Sequence, residues 1–180
     1  MSRLFTFLFF LCSQSLFAQK HVEHTIPSKI FGHDRKVTVY LPAAYLEDSL
    51  NNFPVAYLFD GQYEPYLTMV SGMMEYYNQT NNGVGMLIVA VHTENRYEEF
   101  VPEVKTDQTT NKKTYSTILT DFLEQELFPF VKENYRTTDF KLGVGHSLGG
   151  TFLLCEAFKP NSPFGAIIAA SPNTNLDGMT

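Results

Sequence analysis

Two short stretches near the middle of the chain, VAYLFD (Val55–Asp60) and GMLIVAVH (Gly85–His92), are almost continuously apolar. A strand with one wet face alternates apolar and polar residues, so runs of this kind belong to strands covered on both faces, as in parallel sheets. Between them, Pro65 to about Gln79 carries Met69, Val70, Met73, Met74 and Tyr77 at helical spacing. That methionine and aromatic stripe is expected to pack in the core, not to hold a ligand. VEHTIPS and RKVTVYLP read as two early strands with a turn around Gly32–Asp34. From about Thr114 to Tyr135, Ile118, Leu119, Phe122, Leu123, Leu127, Phe130 and Val131 form one broad apolar helix face, with Pro129 expected to bend it. FKLGVGH then reads as a strand, Ser147 to Phe158 as a helix and GAIIAASP as another strand. Two strands followed by repeated β-α units predict an α/β fold, an open and mostly parallel sheet with helices on both faces.

The first 18 residues stand apart. Arg3 is followed by an apolar run from Leu4 to Cys12, by polar Ser13, Gln14 and Ser15, and by Ala18 at a cleavage point. This is the order of a signal peptide, and the apolar run is too short to span a bilayer comfortably. Export to the periplasm or beyond is expected, with cleavage near Ala18 and no membrane insertion afterwards. Residues 19–180 then form one domain, with no repeat, low-complexity tract or linker to divide them. A net charge of −6 argues against nucleic acid and anionic membrane surfaces as partners. Once Cys12 is removed, Cys155 is the one remaining cysteine, which excludes an internal disulfide and a cysteine-based zinc site.

Chemistry enters at GHSLG (Gly145–Gly149), a G-x-S-x-G pattern between a predicted strand and a predicted helix. In that setting a serine sits on a sharp, strained turn that lifts its hydroxyl above the sheet. Small residues two positions either side avoid clashes. The following N–H, that of Leu148, is aimed at the site with a helix N-terminus behind it, forming half of an oxyanion hole.

With these segments in order, the chain resembles the esterase D-like branch of the α/β-hydrolases. That branch includes enterobactin esterases, S-formylglutathione hydrolases, feruloyl and acetyl-xylan esterases, and mycolyltransferases. The resemblance rests on VAYLFDGQ, NRYEEFVPE, FLEQELFPFVKENYRT, GVGHSLGGTF and FGAIIAASPN, which occur in the branch's order from Val55 to Asn173. It implies a serine ester hydrolase with Ser147 as nucleophile. The backbone N–H of Leu148 donates to the oxyanion, and that of Gln62 in the DGQ turn is the second donor, with Gly61 allowing close approach. Asp60 and Arg96 match positions that shape the pocket floor and rim, through substrate contact or as a loop-ordering ion pair. His92, at the C-terminal edge of the fourth strand, is a pocket-lining candidate. The loop after that strand departs from the branch's Arg-Asp-x-Thr-Pro pattern and reads Glu98-Glu99-Phe100-Val101-Pro102, so it says nothing of substrate charge. No metal or organic cofactor is implied. The expected partner is a small-molecule or polysaccharide-linked ester: a siderophore ester, a feruloyl or acetyl group on polysaccharide, or a simple acyl ester.

A count of residues complicates this reading. A serine hydroxyl needs a histidine base oriented by a carboxylate, and in this fold the acid and histidine follow the serine. After Ser147 the sequence holds Glu156 and Asp177 as its acids and no histidine. His21, His24 and His33 fall in the early hairpin, far from the elbow, and His146 is expected to point away from the serine. Asp177 falls just past the sixth strand, where some α/β-hydrolases place their acid, but its surroundings, SPNTNLDG, look more like this branch's substrate-facing loop. The expectation is an α/β-hydrolase lacking its last strands and helix, and with them the acid and base. A non-catalytic remnant or binding protein on the same scaffold, and an acyltransferase, stay open as alternatives.

Overall fold

The computed structural model describes residues 20–80, 82–101, 103–106 and 113–174. The expected signal peptide and Asp177 lie outside the described residues.

Strands β1 (Lys20–Pro27) and β2 (Asp34–Leu41) pair antiparallel through their whole length. Gly32 makes the connecting turn at φ 74°, and its N–H donates to Ser28 O at 3.0 Å. On its other side β2 pairs antiparallel with β4 (Leu87–Val91). From there the sheet is parallel: β4 with β3 (Phe53–Phe59), β3 with β7 (Thr137–His146), and β7 with β8 (Ala166–Ala170). The order β1-β2-β4-β3-β7-β8 puts β4 and β3, the two near-continuous apolar runs, inside, where strands are covered on both faces. A separate two-stranded ribbon joins β5 (Glu103–Thr106) to β6 (Lys113–Ser116). This is the α/β architecture expected from the sequence.

Successive residues of a strand point to opposite faces, and β3 shows what each face meets. Val55, Tyr57 and Phe59 enter a large core with Phe100, Phe122, Leu123, Leu127, Val131, Phe152 and Leu153. Those residues come from α3 (Arg96–Phe100), α4 (Ile118–Phe122), a π-helical turn (Leu123–Leu127), α5 (Phe128–Asn134) and α6 (Leu148–Ala157). Ala56 and Leu58 face the other way, into a smaller core with Tyr40, Ile88, Ala90 and Leu67. There the cover comes from α2 (Glu64–Gln79). The short α1 (Ala43–Glu47) follows β2.

Two expectations are corrected. The long helix begins at Ile118, not near Thr114, because Lys113–Ser116 pair as a strand and Thr117 caps the helix, accepting from Thr120 N at 3.1 Å. Ile118 is itself exposed, leaving Leu119, Phe122, Leu123, Leu127 and Val131 as the buried face. Ahead of Pro129 the helix carries a π turn, with Phe128 N–H bonded to Leu123 O. A proline ring clashes with the carbonyl four residues back, here that of Gln125, and the wider turn relieves that crowding. The second correction concerns the methionine stripe. Met69, Met73 and Tyr77 are 57, 53 and 47% exposed, while Val70 and Met74 pack partly against the smaller core. Helix α2 covers β3 and β4 and leaves an open groove toward β7 and β8. Among the described residues no helix is long and apolar enough to cross a membrane.

Candidate active site

Strand β7 ends at His146 and α6 begins at Leu148, so one residue makes the whole turn. Ser147 makes it at φ 54° and ψ −119°, a conformation that costs a non-glycine residue about 1–3 kcal/mol. The surroundings hold it there. Ser147 N–H donates to Ala170 O on β8 at 3.0 Å, and Ser147 O accepts from Thr151 N at 2.9 Å. The Thr151 hydroxyl lies 3.2 Å from Ser147 O and 2.7 Å from Asn173 O. The two flanking glycines are not equivalent. A Cβ on Gly145 would sit 2.6 Å from the Gly149 backbone, which cannot yield, whereas one on Gly149 would make ordinary 3.5 Å contacts with Phe59 and Asp60. Close approach therefore demands glycine on the strand side alone.

The next strand over, β3, ends in the second candidate element. Asp60 is fully buried at φ 61°. Arg96 grips it with two parallel bonds, Nε to Oδ1 at 2.9 Å and Nη2 to Oδ2 at 3.0 Å. This bond raises the Arg96 pKa, fixing its positive charge. The same Nη2 reaches His146 O at 3.4 Å, so Arg96 ties the DGQ turn to the elbow. Of the two roles considered for Asp60 and Arg96, the geometry fits the loop-ordering pair. Gly61 N–H donates to Val91 O at 2.8 Å, and a Cβ there would lie 2.5 Å from the Ala90 carbonyl carbon. The Gln62 side chain bridges, accepting from Thr93 N at 2.9 Å and donating toward Asp60 Oδ1 at 3.5 Å. Among the described residues, no acceptor takes the backbone N–H of Gln62 or of Leu148.

The histidines lie elsewhere. His92 Nε2 bonds Thr38 Oγ1 at 3.0 Å, on β2, and β4 and β3 stand between β2 and β7. Burial lowers the His92 pKa. His146 turns toward α2, its Nδ1 3.1 Å from Tyr66 OH. His24 bonds Tyr135 OH at 2.6 Å, and His33 pairs with Glu94 at 3.1 Å, while His21 packs edge-on against Tyr40. Glu156 is buried with Thr120 Oγ1 at 2.7 Å and Lys159 Nζ at 2.5 Å. At 1.5 Å per helical residue it lies roughly 13 Å along α6 from Ser147, too far to orient a base there. No group of three or more His, Cys, Asp or Glu among the described residues could hold a metal.

Sequence reasoning missed Arg35 and the use of Glu99. Arg35 is 1% exposed and donates to both Glu99 oxygens, at 3.2 and 2.6 Å, and to His92 O at 2.8 Å. Its signal was present: Arg35 shares strand parity with Val37, Val39 and Leu41, the inward face. Below the elbow, Met69, Met73, Tyr77, Val144 and Ile168 line an apolar groove of about 440 Å³ that starts at Gly145 and His146.

The sequence model of a family described as "Putative esterase" matches residues 28–178. Among solved structures, an IroE-like serine hydrolase from Shewanella oneidensis is similar at 24% identity and TM-score 0.69, over 83% of this chain and 50% of that one. The BES protein from Bacillus cereus is similar at 20% identity and TM-score 0.72, over 93% of this chain and 68% of that one. The siderophore hydrolase EstA from Aspergillus nidulans is similar at 20% identity and TM-score 0.66, over 86% of this chain and 58% of that one. The chain thus spans between 50 and 68% of the length of these three structures. Comparison with curated proteins finds no match.

Proposed function

The chain belongs to the esterase family, the esterase D-like branch of the α/β-hydrolases, and from that premise we propose that it carries the nucleophile and oxyanion hole of a serine ester hydrolase. The observation that carries the reading is the strained Ser147 turn between β7 and α6, with φ 54° on a non-glycine residue. In the proposed reaction Ser147 Oγ attacks the ester carbonyl carbon and its proton passes to a base. The carbonyl oxygen becomes an oxyanion that accepts from the N–H groups of Leu148 and Gln62. Collapse expels the alcohol and leaves an acyl-serine, which water then hydrolyses by the same route. The Arg96–Asp60 pair supports this by joining the two donor turns.

The base and acid have no counterpart among the described residues near the elbow. We assign them to polypeptide following Thr180 in a longer protein, a reading consistent with the greater length of the similar structures. Residues 1–18 would direct export, and the substrate would be a siderophore, feruloyl, acetyl or simple acyl ester. A fluorophosphonate probe tests the core of this. The longer polypeptide should label at Ser147, with loss of all labelling in Ser147→Ala and weak labelling of the 180-residue chain. Labelling that persists in Ser147→Ala would refute the assignment of the nucleophile.

A further inference from the structure

We propose that the buried Arg35–Glu99 pair is the positioning element of the oxyanion turn, acting on Gln62 and Asp60 through the segment between β4 and α3. This rests on the reading of Gln62 N–H as an oxyanion donor. Arg35 enters from β2 and Glu99 from α3, both 2% exposed or less. Arg35 stacks over the Phe31 ring at 4.1 Å, which fixes the plane of its guanidinium. Glu99 Oε1 accepts from Arg35 Nη1 at 3.2 Å, from Glu94 N at 2.8 Å and from Asn95 N at 3.0 Å. Arg35 Nη2 meanwhile holds His92 O at 2.8 Å. The pair therefore grips the backbone of 92–95 at three points.

Thr93, the residue between the grips, presents its N–H to Gln62 Oε1. Asn95 caps α3, accepting from Tyr97 N and Glu98 N, and so aims Arg96, the first residue of that helix, at Asp60. Two routes thus run from one buried pair to the same turn. One passes through Thr93 to the Gln62 side chain, and the other through Asn95 and Arg96 to the Asp60 carboxylate. Apolar residues of similar volume commonly match a buried ion pair in stability. They supply no acceptor for the Glu94 and Asn95 N–H groups, and capturing those is what Glu99 does.

Amide hydrogen exchange on the 180-residue chain tests this without a reactive serine, so failure of labelling at Ser147 and failure of this proposal remain separate results. Glu99→Met, which keeps the volume and removes the acceptor, should raise exchange at Thr93 and at Gly61 and Tyr63 by about tenfold or more, through local opening. Core amides of Leu58 and Val89 should stay protected. Glu98→Gln, one residue away on the exposed side of α3, should leave all of these unchanged. If Glu99→Met fails to fold, Glu99→Asp keeps the charge, shortens the reach by one methylene and should show the same pattern more weakly. Faster exchange confined to 92–95, with Gly61 and Tyr63 at wild-type rates in whichever variant folds, would overturn the proposal.

Discussion

The two faces of the sheet are built from the same strands and differ in depth. One buries Tyr57, Phe59, Phe122 and Phe152 at 1% exposure or less. Phe59 and Phe152 meet edge to face with ring centroids 5.1 Å apart, an arrangement worth about 0.5–1.5 kcal/mol beyond burial. The other presents Ala56, Leu58, Ile88 and Ala90 to a single helix and stays open beside β7 and β8. Helix α6 rises from Ser147 on the deep face, so the nucleophile turn is braced from below on one side and borders a groove on the other. Depth behind the helix and openness beside it let one turn be rigid and approachable together.

The largest test of that contrast pairs Phe152→Ala with Leu67→Ala in urea denaturation. Phe152→Ala empties a site enclosed by other rings and should cost about 3–5 kcal/mol, while Leu67→Ala, in the smaller core under a single helix, should cost about 2 kcal/mol. Equal costs would mean that the shallow face carries as much of the fold as the deep one. Smaller still is Met73→Thr, on the groove wall at 53% exposure, expected within about 0.5 kcal/mol of wild type. A loss above 1 kcal/mol by the same method would show that the groove is filled in solution.

The smallest effect is a pH slope. By alternation His92 and Thr38 extend the shallow face past α2. Burial lowers the folded-state pKa of His92 below the ordinary 6.5. Below pH 6.5 the unfolded chain therefore binds the proton first, so stability is full above that pH and declines as pH falls toward the folded pKa. Thermal melts of His92→Gln between pH 7.5 and 5.5 should lose part of the wild-type slope. An unchanged slope would place the titration elsewhere.

How far the sequence foretold this depends on whether a feature is written in one segment or between two. The strands were legible because Val55–Phe59 and Leu87–Val91 are apolar throughout, and the elbow because Gly145, Ser147 and Gly149 fall within five residues. The Met69–Tyr77 stripe misled because periodicity tells which side of a helix is apolar and is silent on how much sheet lies opposite. The start of α4 was misjudged because Lys113–Ser116 becomes a strand through a partner ten residues upstream. Arg35 and Glu99 stand 64 positions apart, and no local pattern joins them. The shared parity of Arg35 with Val37 showed that it would be buried, though not with what.

Among the described residues, three non-glycine residues hold positive φ: Asp60, Ser147 and Ser171. They follow the C-terminal ends of β3, β7 and β8, three neighbouring parallel strands of the sheet. For an engineer this rim is a warning. Screens for heat resistance reward whatever relaxes a backbone, and glycine at any of the three would do so. Two of the turns that would gain in endurance, at Asp60 and Ser147, are the ones whose shape the proposed chemistry uses.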